Sequence, residues 1–259
     1  MSQLNIAPLW RPEKVNWVYK NPDPAQILER IKTKSGRKFL RAIDEISQTN
    51  NLRIEQGPCS ANEYSQWLEL YLKITDKKKF NVLANPGWYE QKISEHKQIE
   101  KIFIYQNEYL LGGKIITISQ EGMVRSAFKI SENYDFGKEV GNGSLGLMFD
   151  YLYLQHYTKL GYQKITGGHS RNLFGIINKV GYLNFKLRLG YSAEIEVENN
   201  MFSQVIENSD DLPFCSYLTP DQTANSAPQL FAYRSAALSY NDLAEANDLI
   251  SIEPLVINI

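Results

Sequence analysis

The chain has 259 residues, 43% of them hydrophobic and 22% charged, with a formal net charge of −1. That balance excludes a globally disordered chain, and no apolar run reaches the ~20 residues a membrane helix needs. The N-terminus lacks a basic segment followed by a long apolar stretch, so it does not read as a secretory signal. Two cysteines, Cys59 and Cys215, stand far apart without metal-ligand spacing. Free thiols and a reducing, cytoplasmic setting are the expectation. The charge is unevenly placed: residues 192–259 hold eleven acidic residues against Arg234, a net of −10, leaving +9 for residues 1–191.

The first fifty residues read as a helical extension. Pro22 and Pro24 precede a helical stretch over 25–32, and Gly36 separates it from another over 38–47. Residues 51–56 alternate as a short strand. Ser60 with Glu63 three residues later forms a capping box, opening a helix whose Trp67, Leu70, Tyr71 and Ile74 share one face. Pro86 opens a second helix. An antiparallel meander follows, with strands over 102–105, 109–118 and 123–130, and Gly112-Gly113 predicts a bulge or a close backbone approach. After a loop, residues 144–160 are apolar nearly all round, predicting a helix buried on several sides. A short strand over 163–166, a polar turn over 167–172, an interrupted helix over 173–189 and strands over 191–198 and 202–207 complete the order. A last short helix is expected over 242–250.

Strand, two helices, meander, helix, strand, helix and two strands predict an α/β protein, a mixed and mostly antiparallel sheet with helices on both faces. The predicted organisation is a helical extension over 1–50, a central α/β domain over 51–208 and an acidic extension over 209–259. The charge split predicts that the acidic extension folds against the basic domain and borders its site.

The loop before the buried helix reads Lys138-Glu139-Val140-Gly141-Asn142-Gly143, followed by Ser144. Glycines there let backbone N–H groups converge, and the helix N-terminus adds partial positive charge, a combination suited to a pyrophosphate. The same glycines spell Gly141-x-Gly143-x-x-Gly146. Some ten residues separate them from the preceding strand, and no acidic residue ends the next one, so a dinucleotide site is excluded. No Walker-A sequence is present.

This loop resembles the acyl-CoA loop of the GNAT family of N-acyltransferases, with Lys138 where that family usually has Gln or Arg. The stretch Asn178 to Lys186, ending Leu189-Gly190-Tyr191, looks like the family's fourth helix. Gly168-His169-Ser170-Arg171 with Asn184-Phe185-Lys186 is similar to its Fem-type branch. The resemblance implies a GNAT fold and direct attack of a small-molecule amine on an acyl-CoA thioester, acetyl-CoA first among donors. It implies that Lys138, Val140, Gly141, Asn142, Gly143, Ser144 and Asn178 bind the donor. The strands over 123–130 and 163–167 would splay to admit pantetheine. His169 follows the second of these and has a pKa suited to a general base. Glu132 competes for that role, Tyr182 would protonate the leaving thiolate, and Ser170 and Arg171 would orient the acceptor. No metal, nucleic acid or membrane is expected as a partner. The alternatives are a Fem-type aminoacyl ligase using charged tRNA and a GNAT-fold module that binds without catalysis.

Overall fold

The computed structural model describes residues 10–12, 15–78, 82–137, 143–170, 180–195, 202–204, 214–217, 229–234 and 255–258. The chain divides into two compact units, one of residues 19–168 and one of residues 1–18 with 169–259. Its strands are β1 (Trp10–Pro12), β2 (Val15–Tyr19), β3 (Leu52–Pro58), β4 (Gln98–Gln106), β5 (Tyr109–Ile118), β6 (Met123–Ser131), β7 (Lys164–Ser170), β8 (Ser192–Ile195), β9 (Phe202–Gln204), β10 (Phe214–Tyr217), β11 (Gln229–Arg234) and β12 (Leu255–Asn258). Its α-helices are α1 (Ile27–Arg30), α2 (Lys34–Arg41), α3 (Ile43–Thr49), α4 (Ala61–Lys78), α5 (Trp88–Ser94), α6 (Leu145–Lys159) and α7 (Val180–Arg188). A mixed α/β architecture results.

The unit of residues 19–168 is built on the strand order β3-β4-β5-β6-β7. The first four strands pair antiparallel, and β7 returns parallel to β6 after the α6 crossover. Side-chain alternation along β5 assigns the helices to faces. A Cβ on Gly113 would lie 2.5 Å from Trp67 of α4, whose indole N–H donates to the Gly113 carbonyl at 3.1 Å. The next residue, Lys114, meets Asp150 of α6. Helices α4 and α6 therefore cover opposite faces.

On the α4 face, Tyr64, Trp67, Tyr71, Ile99, Phe103 and Ile115 form a buried core. Ser60 and Glu63 make the expected capping box: the Ser60 N–H donates to Glu63 Oε2 at 2.8 Å, and the Glu63 N–H to Ser60 Oγ at 3.3 Å. On the other face α6 buries Met148, Phe149, Leu152, Tyr153 and Tyr157. Its outer side is covered too, since Gly36 of α2 packs toward Leu147. That accounts for a helix apolar nearly all round. The Gly112-Gly113 signal marks both expected features, because Leu111 is left extra where the β4–β5 register shifts.

In the second unit, Val15–Val18 of β2 pair antiparallel with β8, and β1 pairs antiparallel with β9. Strands β10-β11-β12 make a three-stranded sheet, antiparallel and then parallel. Two expectations need correction here. Residues 10–12 and 15–19 are strands rather than part of a helical stretch, because Val15, Trp17 and Tyr19 alternate as buried positions with Asn16 and Val18. Gly36 lies inside α2 instead of separating two helices, since α2 needs a residue without a side chain where it approaches Thr33, Ile31 and Leu147. The helix expected over 242–250 lies outside the described residues.

Candidate functional site

The pairing of β6 with β7 is short. It runs Met123↔Lys164, Val124↔Ile165 and Arg125↔Thr166, and beyond that the two strands no longer pair with each other, while β6 stays paired with β5 as far as Ser131. On the other edge of β6, Ile115 faces Phe128 and Ile116 faces Ser126, so Ala127 is bulged out. A bulge kinks its strand and tightens the local twist, which turns β6 away from a straight parallel course. Gly168 follows with a φ of +87°, and a Cβ there would sit 2.8 Å from the Ser126 carbonyl oxygen. The two backbones thus remain close up to Gly168 while their regular pairing has already ended.

Tyr153 of α6 holds this junction. Its hydroxyl lies 2.7 Å from the Thr166 carbonyl oxygen and 3.2 Å from that of Val124, one acceptor on each strand. Burial raises its pKa well above the ordinary value, so the hydroxyl keeps its proton and serves as a donor. Beneath the ring, 4.3 Å from its centroid, lies the ammonium of Lys114. Lys114 and Asp150 form a buried ion pair, and Lys129 reaches the other Asp150 oxygen at 2.6 Å. Burial, with Asp150 opposing it and the like charge of Lys129 adding to it, pulls the Lys114 pKa down to about 8.

Lys129 also donates to the Gly146 carbonyl at 3.3 Å, tying β6 to the first turn of α6. That turn is capped by Ser144, whose Oγ accepts from the Leu147 N–H at 3.1 Å. Gly143 just before it is packed against Phe39 of α2 so closely that any Cβ would overlap the ring. The other side of the loop is anchored as well: Tyr134 donates to Asn50 Oδ1 at 3.1 Å, and Phe136 packs against Phe39 at 5.1 Å.

Of the residues expected to bind the donor, Gly143 and Ser144 stand at this capped entry. Lys138, Val140, Gly141, Asn142 and Asn178 lie outside the described residues, as does Arg171. Strand β7 runs on to Ser170, where a polar turn was expected from 167. His169 and Ser170 are therefore strand residues, His169 exposed and Ser170 buried, with alternation replacing the expected turn. Ser170 Oγ accepts from the Trp17 indole at 3.0 Å, in the same unit. Tyr182 packs edge-on against Trp17 at 5.9 Å, and the Lys186 ammonium lies 5.5 Å from its ring centroid. Glu132, in the other unit, accepts from the Tyr109 hydroxyl at 3.3 Å. Cys59 is a buried free thiol pushed up to about 12 by burial and by Glu63, which rules it out as a thiolate nucleophile near neutral pH.

Sequence reasoning overlooked the Lys114–Asp150–Lys129 group, Tyr153, Arg125 and Thr166. A lysine inside an otherwise apolar strand and an aspartate inside an apolar helix were the available signal. Among the described residues no group of three His, Cys, Asp or Glu side chains could hold a metal ion, and no helix is long and apolar enough to cross a membrane.

No protein-family model and no curated protein matches the chain. Several solved structures resemble it, two of them as follows. A conserved protein of unknown function from Bacteroides thetaiotaomicron is 11% identical with a TM-score of 0.46, over 72% of this chain and 61% of that one. The L-PGS of Bacillus licheniformis is 16% identical with a TM-score of 0.41, over 74% and 62%. The chain spans about three fifths of the length of each of these two structures.

Proposed function

We propose that the chain is an acyl-CoA N-acyltransferase that acylates the amine of a small-molecule acceptor. The observation that carries this reading is the parallel β6–β7 junction, whose ladder ends at Arg125 and Thr166 beside the bulge at Ala127. Where this ladder stops, the diverging edge of β6 offers backbone groups to an extended chain such as pantetheine. The capped entry to α6 supports the same reading: a helix of fifteen residues whose N-terminus is fixed by Ser144 and Gly143 suits the phosphates of coenzyme A.

In this reading the acceptor nitrogen attacks the thioester carbon. The C–N bond forms, the C–S bond breaks, one proton leaves the amine and one reaches the departing sulfur. A backbone N–H of β6 beyond Arg125 would stabilise the oxyanion, and proximity supplies much of the acceleration. His169 is the base of this proposal, since its side chain is exposed at the end of β7. The Glu132 carboxylate is engaged by Tyr109, and Tyr182 is the candidate acid for the thiolate.

Calorimetric titration of the full chain with acetyl-CoA and with CoA tests the reading. Binding on the order of micromolar Kd is expected for the wild type. It should be lost in Gly141→Asp, whose carboxylate opposes the phosphates, while the thermal melt stays cooperative. A folded wild type that binds neither ligand would remove the proposal.

A further inference from the structure

The face of the sheet that carries α4 holds a row of polar side chains. In register across three strands stand Thr117 of β5, Arg125 of β6 and Thr166 of β7. Partnered positions in a ladder share a face, and Arg125 is odd-numbered with Thr117 on the side opposite Lys114 and α6. Thr166 is 7% exposed, and among the described residues its hydroxyl has no hydrogen-bond partner. Thr117 is 6% exposed, and Arg125 is half-buried. Among the described residues Arg125 forms no ion pair or hydrogen bond. A buried hydroxyl left unsatisfied and a half-buried guanidinium without a carboxylate both carry a desolvation cost. A core built for stability alone would place Val and Leu here.

We infer that Arg125, flanked by Thr117 and Thr166, binds an oxyanion of a small-molecule ligand, a carboxylate or a phosphate. The planar guanidinium offers paired N–H donors to two oxygens, and each threonine adds a donor at its side. The neighbouring cation on this face, Lys101, is held by Glu55 and Glu63 and does not compete. Lys164 precedes Thr166 by two residues on the same face and is exposed, so it can add a second charge for a phosphate. The group also sits at the last pair of the β6–β7 ladder, where the regular backbone pairing stops. Helix α6 lies on the opposite face. On the acyltransferase reading, which this assignment of the ligand rests on, the donor's phosphates belong to the α6 side and the anion at Arg125 belongs to the acceptor. The acceptor is then an amine that also carries an acidic group.

Titrating the full chain with succinate and, separately, with inorganic phosphate at constant ionic strength tests the site. Wild type should bind at least one of them. Arg125→Gln should weaken that binding about tenfold or more, and Arg125→Lys, which keeps the charge and loses the fork, by less. Thr166→Val should weaken it about threefold with an unchanged or raised melting temperature, because an unsatisfied hydroxyl is removed. Lys164→Gln should weaken phosphate and spare succinate; equal loss of both assigns the charge contact to carboxylates and phosphates alike. A folded wild type that binds neither anion, or an Arg125→Gln variant that binds as the wild type does, overturns the inference. Anion binding without any acetyl-CoA binding would sink the acyltransferase reading and leave the anion site standing. The reverse result would sink the anion site alone.

Discussion

Lys114, Asp150 and Lys129 place two cations on one carboxylate inside the sheet–helix interface. Removing the shared partner leaves the buried Lys114 charge uncompensated, so Asp150→Leu should cost about 3–5 kcal/mol in urea unfolding. Lys114→Met should cost much less, because Lys129 still neutralises Asp150. The pH dependence follows from the depressed lysine. Below about 8 both the folded and the unfolded chain hold the Lys114 proton, and the cost of burying the cation is fully present. Between about 8 and the ordinary 10.5 the folded state releases it first, so the unfolded state binds more protons and stability rises with pH. The wild type should therefore gain on Lys114→Met between about pH 7.5 and 9.5. A difference that stays flat or shrinks over that range would contradict this account.

The start of α4 is held by a reciprocal cap whose acid is also the counterion of Lys101. Burial raises the Glu63 pKa, but the Lys101 ammonium and the Ser60 donors outweigh it and hold the carboxyl down at about 2. A depressed carboxyl contributes stability above its ordinary 4.5 and loses it as pH falls toward 2. Ser60→Ala should cost about 1 kcal/mol at neutral pH and flatten the acid limb of the stability curve. This cap was legible in the sequence, because its chemistry is local: two residues three apart. The meander, α4 and α6 were legible for a related reason, since long periodic segments report their own faces. What was not legible depends on pairing between distant segments. Strands Trp10–Pro12 and Val15–Tyr19 are too short to announce themselves, and they find partners at 202–204 and 192–195. Thr166 and Arg125 become neighbours through a parallel register that no local pattern encodes. Gly167-Gly168 reads as a break and puts His169 in a turn, yet the strand passes through both.

At the scale of the molecule, residues 19–168 form a continuous stretch with, among the described residues, five strands, six α-helices and a buried aromatic core. Expressed alone, this fragment should unfold in one cooperative transition, with the fluorescence of Trp67 and Trp88 and far-ultraviolet ellipticity changing together. Non-coincident transitions would mean that the core depends on the rest of the chain.

The parallel ladder has a kinetic consequence as well. Strands β4, β5 and β6 join through tight turns, so their pairing needs little loop closure. The partners Arg125 and Thr166 are separated by roughly forty residues, and α6 must be laid down between them before they meet. The slowest step in forming this unit should be the docking of β7 on β6, with the Tyr153 hydroxyl as its latch. Substitutions in the β4–β5 hairpin would then slow refolding, whereas Tyr153→Phe would chiefly speed unfolding. The place where the proposed substrates meet would be the last part of this unit to assemble and the first to come apart.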